Sequence, residues 1–228
     1  MNREIKSLTI SEILELPLSE KETYGLVHTP QEIFQQPETW LETFQIVKTK
    51  KIEIQEFLQK SGFGKDNFSV VLIGAGTSDY IGRALVSLLQ KNWKCNVQAI
   101  PSTSLMTEMD DFIENSPVNT QHLWISFSRS GDSFEGVQVL EKAIKKYLHI
   151  KHLIVTCNET GKMAKEISAN DQDVCCIILD KKVNDLGLAM TSSFTNMITA
   201  GHCLAHIFEL EKYEPVLKNL GKETKAYK

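Results

Sequence analysis

An α/β fold, with a five-stranded parallel sheet flanked by helices behind an N-terminal helical extension, is predicted by three features of the 228-residue sequence. From Phe68 onward, five short apolar runs alternate with helical segments, whereas residues 1–65 carry no strand signal. Runs that are apolar at successive positions suit strands buried on both faces, as in parallel sheets. Turns rich in glycine and serine follow the first and third runs, where strand would enter helix.

Within residues 1–65, Thr29-Pro30-Gln31-Glu32 reads as a helix start: threonine as cap, proline at the first helical position, glutamate completing a capping box. Pro37 should break or kink that helix. A longer amphipathic helix is expected from Glu38 to Gln59, carrying Trp40, Phe44, Val47, Ile54 and Leu58, and ended by Ser61-Gly62-Phe63-Gly64. The strands are expected at Ser69–Ile73, Asn96–Ile100, Leu123–Phe127, His152–Thr156 and Val174–Leu179. Helices should lie between them at Asp79–Asn92, Leu105–Glu114, Phe134–Leu148 and Lys162–Ala169, with a last one from Thr191 to Leu210. Each crossover should be right-handed.

The formal net charge of -4, with both signs mixed along the chain, gives no footprint for nucleic acid and disfavours an anionic membrane surface. No apolar run approaches the roughly 20 residues that span a bilayer, and the acidic N-terminus does not resemble a signal peptide. Five cysteines at irregular spacing, in apolar surroundings, are expected as reduced thiols of a cytoplasmic protein.

In an open parallel sheet, ligands bind beyond the carboxyl ends of the strands, where strand order reverses. After the first strand comes Gly74-Ala75-Gly76-Thr77-Ser78-Asp79, and after the third Ser128-Arg129-Ser130-Gly131-Asp132-Ser133. Glycines let backbone N–H groups approach an anion, hydroxyls donate to it, and the following helix adds its positive end. Arg129 can pair with a phosphate or face solvent. With strand order 2-1-3-4-5 the two loops converge into one site. Plain helix capping by the serines and threonines accounts equally well for either loop alone.

Other chemistries fit less well. Gly74, Gly76 and Gly82 are spaced G-x-G-x5-G rather than as a dinucleotide fingerprint, and the second strand ends in Ile100-Pro101 without a ribose-binding acid. Gly161-Lys162 lacks the rest of a Walker A loop. No cofactor is expected. His202 and His206, with Cys203, share a helix face but lack further zinc ligands, so no metal is expected either. Glu108, Asp110 and Asp111 read as a solvated helix face.

The segments GAGTS-x3-G at Gly74–Gly82 and SFSRSGDS at Ser126–Ser133 resemble the signature of the sugar isomerase (SIS) domain family. That resemblance implies Ser128, Arg129, Ser130 and Ser133 around the phosphate of a phosphosugar, at the Gly131 turn, with Ser78 joining them. It sets Thr77, beside Gly76, against the sugar hydroxyls. Asp185–Thr191, DLGLAMT, is similar to the E-x-G-V-A-S-T segment of the isomerase domain of glucosamine-6-phosphate synthase, with Met190 for its serine and Ser192 for the following lysine. The backbone around Leu188 would line the sugar site. LAMTSSFTNM and GLVHTPQEIFQQPETW (Gly25–Trp40) more closely resemble the AgaS-type tagatose-6-phosphate ketose/aldose isomerase branch.

The resemblance implies proton transfer between C1 and C2 of an open-chain 6-phosphosugar, or deamination of a 2-amino sugar. In related isomerases the catalytic glutamate and histidine come from a second SIS domain or a neighbouring subunit. No convincing general base stands in residues 1–228. Proteins of this branch carry two SIS domains in tandem, so residues 66–210 are expected as the first and 211–228 as a linker toward a second. The chain is then a fragment, a truncated product or a natural single-domain form. It is expected to pair with such a domain or to homodimerise, and a non-catalytic sugar-phosphate sensor is the alternative.

Overall fold

Five parallel strands, in the spatial order β2-β1-β3-β4-β5, form the centre of the protein. The computed structural model describes residues 8–167 and 172–225. The strands are β1 (Phe68–Gly74), β2 (Asn96–Pro101), β3 (Gln121–Ser128), β4 (Lys151–Thr156) and β5 (Val174–Ile178). This is the expected five-stranded parallel fold, with each strand within a few residues of its apolar run.

Period-two alternation sorts the strand side chains between two layers. Val70, Leu72, Leu123, Ile125, Leu153 and Val155 enter the main core. Val71, Ile73 and Trp124 face the opposite layer with Leu105 and Met109 of α7 (Ser102–Glu114) and Val139 and Ala143 of α8 (Phe134–Lys146). The main core is closed by α4 (Gln36–Thr49), α5 (Lys51–Lys60), α6 (Thr77–Trp93) and α9 (Ser192–Ala205), through Phe44, Ile54, Leu85 and Met197 among others. The N-terminal extension therefore supplies part of the sheet's cover.

Ahead of these lie α1 (Ile10–Leu14), α2 (Leu18–Tyr24) and α3 (Thr29–Phe34). Thr9 and Glu12 form a capping box at α1. The capping box expected at Thr29 and Glu32 is not formed. His28 is the cap residue of α3, without a side-chain bond, and Thr29 is already helical. Glu32 is committed elsewhere, as described below. Pro37 lies in the first turn of α4 and separates it from α3, as expected. The single helix expected over Glu38–Gln59 is two, because the backbone leaves helical geometry at Lys50 (φ -89°, ψ 6°).

Past β4 a five-residue π-helix, Met163–Ile167, stands where an α-helix was expected, and Ser168 and Ala169 of that expectation lie outside the described residues. After α9, a short 3₁₀ turn at Ile207–Glu209 leads into α10 (Leu210–Lys225). Residues 211–225, read as the start of a linker, are thus helical. They are fastened to the N-terminal helices by Lys48–Glu214 (3.0 Å) and Lys51–Glu211 (2.8 Å), and Leu217 joins the core.

The five cysteines are free thiols. Burial pushes Cys175 and Cys203 up to about 12 and Cys95 to about 11, which makes them poor nucleophiles. Among the described residues no helix is long and apolar enough to cross a membrane.

Candidate functional site

The reversal of strand order falls between β1 and β3, which pair in register from Phe68↔Gln121 to Gly74↔Phe127. Their following loops therefore emerge side by side at the carboxyl edge, as expected. On the first, Gly76 (φ +54°) turns the chain into α6, Thr77 is exposed and Ser78 is buried. On the second, Ser128 is buried at the strand end, and Arg129, Ser130 and Ser133 are half-buried.

The hydroxyls do not act as helix caps. Ser133, the cap residue of α8, makes no side-chain capping bond, and the cap position of α6 is taken by Gly76, which has no side chain. Within the second loop, Gly131 N–H donates to Ser128 Oγ (3.1 Å) and Asp132 N–H to Ser130 Oγ (3.2 Å), so both serines brace the turn through their oxygens. Their O–H protons remain available to an acceptor. α8 enters the site with first-turn N–H groups that no carbonyl of its own helix reaches; in α6 the N–H groups of Ser78 and Asp79 donate to the carbonyls of Ala75 and Gly76 (3.0 and 3.1 Å). Hydroxyl donors and positive helix ends on one edge are the kind of groups that favour an anion.

Arg129 is tied to another segment of this edge. Its Nη1 donates to the Asp185 carbonyl (3.1 Å), which ties the loop after β3 to the segment 185–191. The guanidinium has further N–H donors in its planar fork. The Asp185 carboxylate is buried and accepts N–H bonds from Thr191 (2.9 Å), Ser192 (3.1 Å) and Ser193 (2.9 Å), as well as the Ser193 hydroxyl. A carboxylate at the positive start of α9 is favourably placed. Leu188 sits on this segment with its side chain fully exposed, so its backbone rather than a packed side chain marks the surface.

Three partners of the site were missed in the sequence. Asn158, after β4, donates Nδ2 to the Ser130 carbonyl (2.8 Å), and Lys162 N–H donates to Asp132 Oδ1 (2.7 Å). The third is Glu32, buried beneath the 185–191 segment, whose Oε1 accepts from Leu186 N–H (2.7 Å) and Gly187 N–H (2.8 Å). Asn158 follows a strand end, a position that marks a loop but not its partner; Glu32 was hidden by its capping-box spacing.

The remaining candidates lie away from this edge. Asp110 bridges α7 to α8 through Lys146 (2.7 Å) and Tyr147 (2.6 Å), which hold its carboxyl well below the usual range. His202 and His206 stack on Tyr213, with ring centroids 5.8 and 5.0 Å apart. A large cavity lined by Asp66, Glu108, Asp111 and His122 opens at the amino ends of β1–β3, opposite the two loops.

Residues 65–207 match the SIS domain. The chain is 34% identical over 179 residues to the D-galactosamine-6-phosphate deaminase AgaS of Escherichia coli, covering 78% of this chain and 44% of that protein. It is 33% identical over 181 residues to that of Shewanella sp. (strain ANA-3), covering 78% and 45%. The chain thus spans less than half the length of these relatives. A crystal structure of tagatose-6-phosphate ketose/aldose isomerase from Escherichia coli superposes with a TM-score of 0.76 at 27% identity, covering 86% of this chain and 52% of that one. With its five parallel strands and paired loops, the chain belongs to the SIS domain family, among relatives of the AgaS type.

Proposed function

We propose that the chain is the phosphosugar-binding SIS unit of a ketose/aldose isomerase or amino-sugar-phosphate deaminase, acting on galactosamine 6-phosphate or tagatose 6-phosphate in the cytoplasm. The observation that carries this reading is the convergence of uncommitted hydroxyl donors and two helix N-termini where β1 and β3 end. In it, Ser128, Arg129, Ser130, Gly131 and Ser133 surround the phosphate with Ser78. Gly76, Thr77 and the backbone around Leu188 meet the sugar. The relatives' names supply the sugar class.

A phosphate held at a remote loop fixes the position of C1 and C2, which turns binding energy into orientation at the reacting carbons. Proton transfer between C1 and C2 gives an enediol, or an enolamine from a 2-amino sugar. The resulting ketimine is hydrolysed to ketose phosphate and ammonia. A general base is required for that transfer. Four carboxylates near the loops are engaged: Asp185 by four donors, Glu32 by two amides, Asp79 by Arg83 (2.7 Å) and Asp132 by Lys162 N–H. The base in this reading comes from a second SIS domain or a neighbouring subunit, either of which would pair with this unit. The same engagement favours, as a second reading, a module that binds the sugar phosphate without turning it over.

Calorimetric titration with galactosamine 6-phosphate, with ammonia release assayed on the same samples, tests both. Binding that Ser128→Ala/Ser130→Ala abolishes, without ammonia, supports the binding unit. Ammonia release by the chain alone would require a base within it. If no 6-phosphosugar binds, the phosphosugar reading is wrong.

A further inference from the structure

We propose that Glu32, supplied by the N-terminal extension, is a positioning residue that sets the height of the 185–189 segment against the bound sugar. The proposal rests on the phosphosugar reading above. Glu32 stands in the first turn of α3 at 6% exposure, and reaches a segment more than 150 residues later in the chain. Its Oε1 accepts the consecutive amides of Leu186 and Gly187 at 2.7 and 2.8 Å. Hydrogen bonds to an ionised acceptor are roughly twice as strong as neutral ones. Its Oε2 is buried without a protein partner.

The fit above the carboxylate is close. A Cβ built on Gly187 would stand 2.7 Å from both Glu32 Oε2 and Thr29 Oγ1, so only glycine lets the backbone rest on this pair. The segment is held at its start as well, where Asp185 anchors the beginning of α9 by its carboxylate and Arg129 by its carbonyl. Glu32 is the support of its middle. With the side chains of Leu186 and Leu188 exposed, the part of the segment held at fixed height is backbone, the part assigned to the sugar. A buried carboxylate with one unpaired oxygen is a costly way merely to fasten a loop. Its placement under the two amides that lead into Leu188 gives it a role in substrate geometry.

The test is calorimetry on the whole chain with two probes, galactosamine 6-phosphate and inorganic phosphate, beside hydrogen exchange at the Leu186 and Gly187 amides. Glu32→Ala should weaken the phosphosugar at least tenfold while phosphate affinity stays within twofold, and both amides should exchange faster. Glu32→Gln keeps an acceptor oxygen and should lie within threefold of wild type. Gly187→Ala lifts the backbone off the carboxylate and should behave like Glu32→Ala, which gives a second route if that variant does not fold. Unchanged phosphosugar affinity in Glu32→Ala and Gly187→Ala, or parallel loss of both probes, overturns the proposal. Wild type that binds phosphate but no phosphosugar overturns the underlying reading and this proposal with it.

Discussion

Asn158 donates its side-chain amide to the backbone carbonyl of Ser130 at 2.8 Å, which couples the end of β4 to the turn that follows β3. The Asn158 backbone N–H is itself turned toward Thr156 Oγ1 (3.3 Å), so the amide is presented from a braced position. A neutral bond of this kind contributes about 1 kcal/mol. Asn158→Ala should weaken galactosamine 6-phosphate binding roughly fivefold by calorimetry, the equivalent of that energy. Wild-type affinity in the variant would show that the turn after β3 holds its shape without this support.

Gly131 adopts φ +68°, and a Cβ there would lie 3.2 Å from Thr156 Oγ1 and 3.3 Å from Gly161 Cα. Gly131→Ala combines left-handed strain of roughly 1–2 kcal/mol with a tight contact. The expected outcome is a lower unfolding midpoint in urea together with loss of phosphosugar binding, because the turn must open to admit the methyl group. Unchanged binding would mean that the turn's shape is not what holds the phosphate.

The strand order and the pairing of the two loops were legible because each rests on local pattern. Short apolar runs rich in β-branched residues, such as Val70–Ile73, suit strands buried on both faces, and a parallel sheet then dictates where ligand loops emerge. The anchors of those loops were not legible. Glu32 meets Leu186 across 154 positions, and Asn158 meets Ser130 across 28, as single side chain-to-backbone bonds that leave no periodicity. The spacing Thr29-x-x-Glu32 even pointed to the wrong partner, since a capping box and a tertiary anchor use the same residue types. The break at Lys50 and the π-helix at Met163–Ile167 depend on packing, with no proline or glycine within either to announce them.

Asp185→Ala should be among the most destabilising single changes in the chain. It leaves three N–H groups and the Ser193 hydroxyl without their acceptor in a buried setting. Lost capping and unsatisfied donors together amount to about 3 kcal/mol. Asp185→Asn retains one acceptor oxygen and should lose roughly half as much. Urea unfolding of the two variants decides the matter. A midpoint for Asp185→Ala equal to that of wild type would show that water replaces the carboxylate without cost.

Acid should destabilise the protein through two buried histidines on the α7–α8 side of the sheet. His152 is 1% exposed, packs edge-on against Trp124 at 5.9 Å, and neither ring nitrogen has a protein partner. Burial pulls it down to about 3, with Asp173 opposing and Lys151 assisting. His122, with Nδ1 unpartnered, is pulled to about 4 by burial and by the neighbouring His149. Both folded values lie below the ordinary 6.5, so between 6.5 and those values the unfolded chain binds more protons than the folded one. Stability is therefore full above pH 6.5 and declines as pH falls toward 4 for His122 and toward 3 for His152. At pH 5 the His152 contribution amounts to about 2 kcal/mol, or roughly 5 °C in Tm for a chain of this size. His152→Phe removes the titrating ring while keeping the contact with Trp124, and should raise Tm at pH 5 more than at pH 7.5. Equal shifts at the two pH values would mean that His152 is not what the acid limb reports.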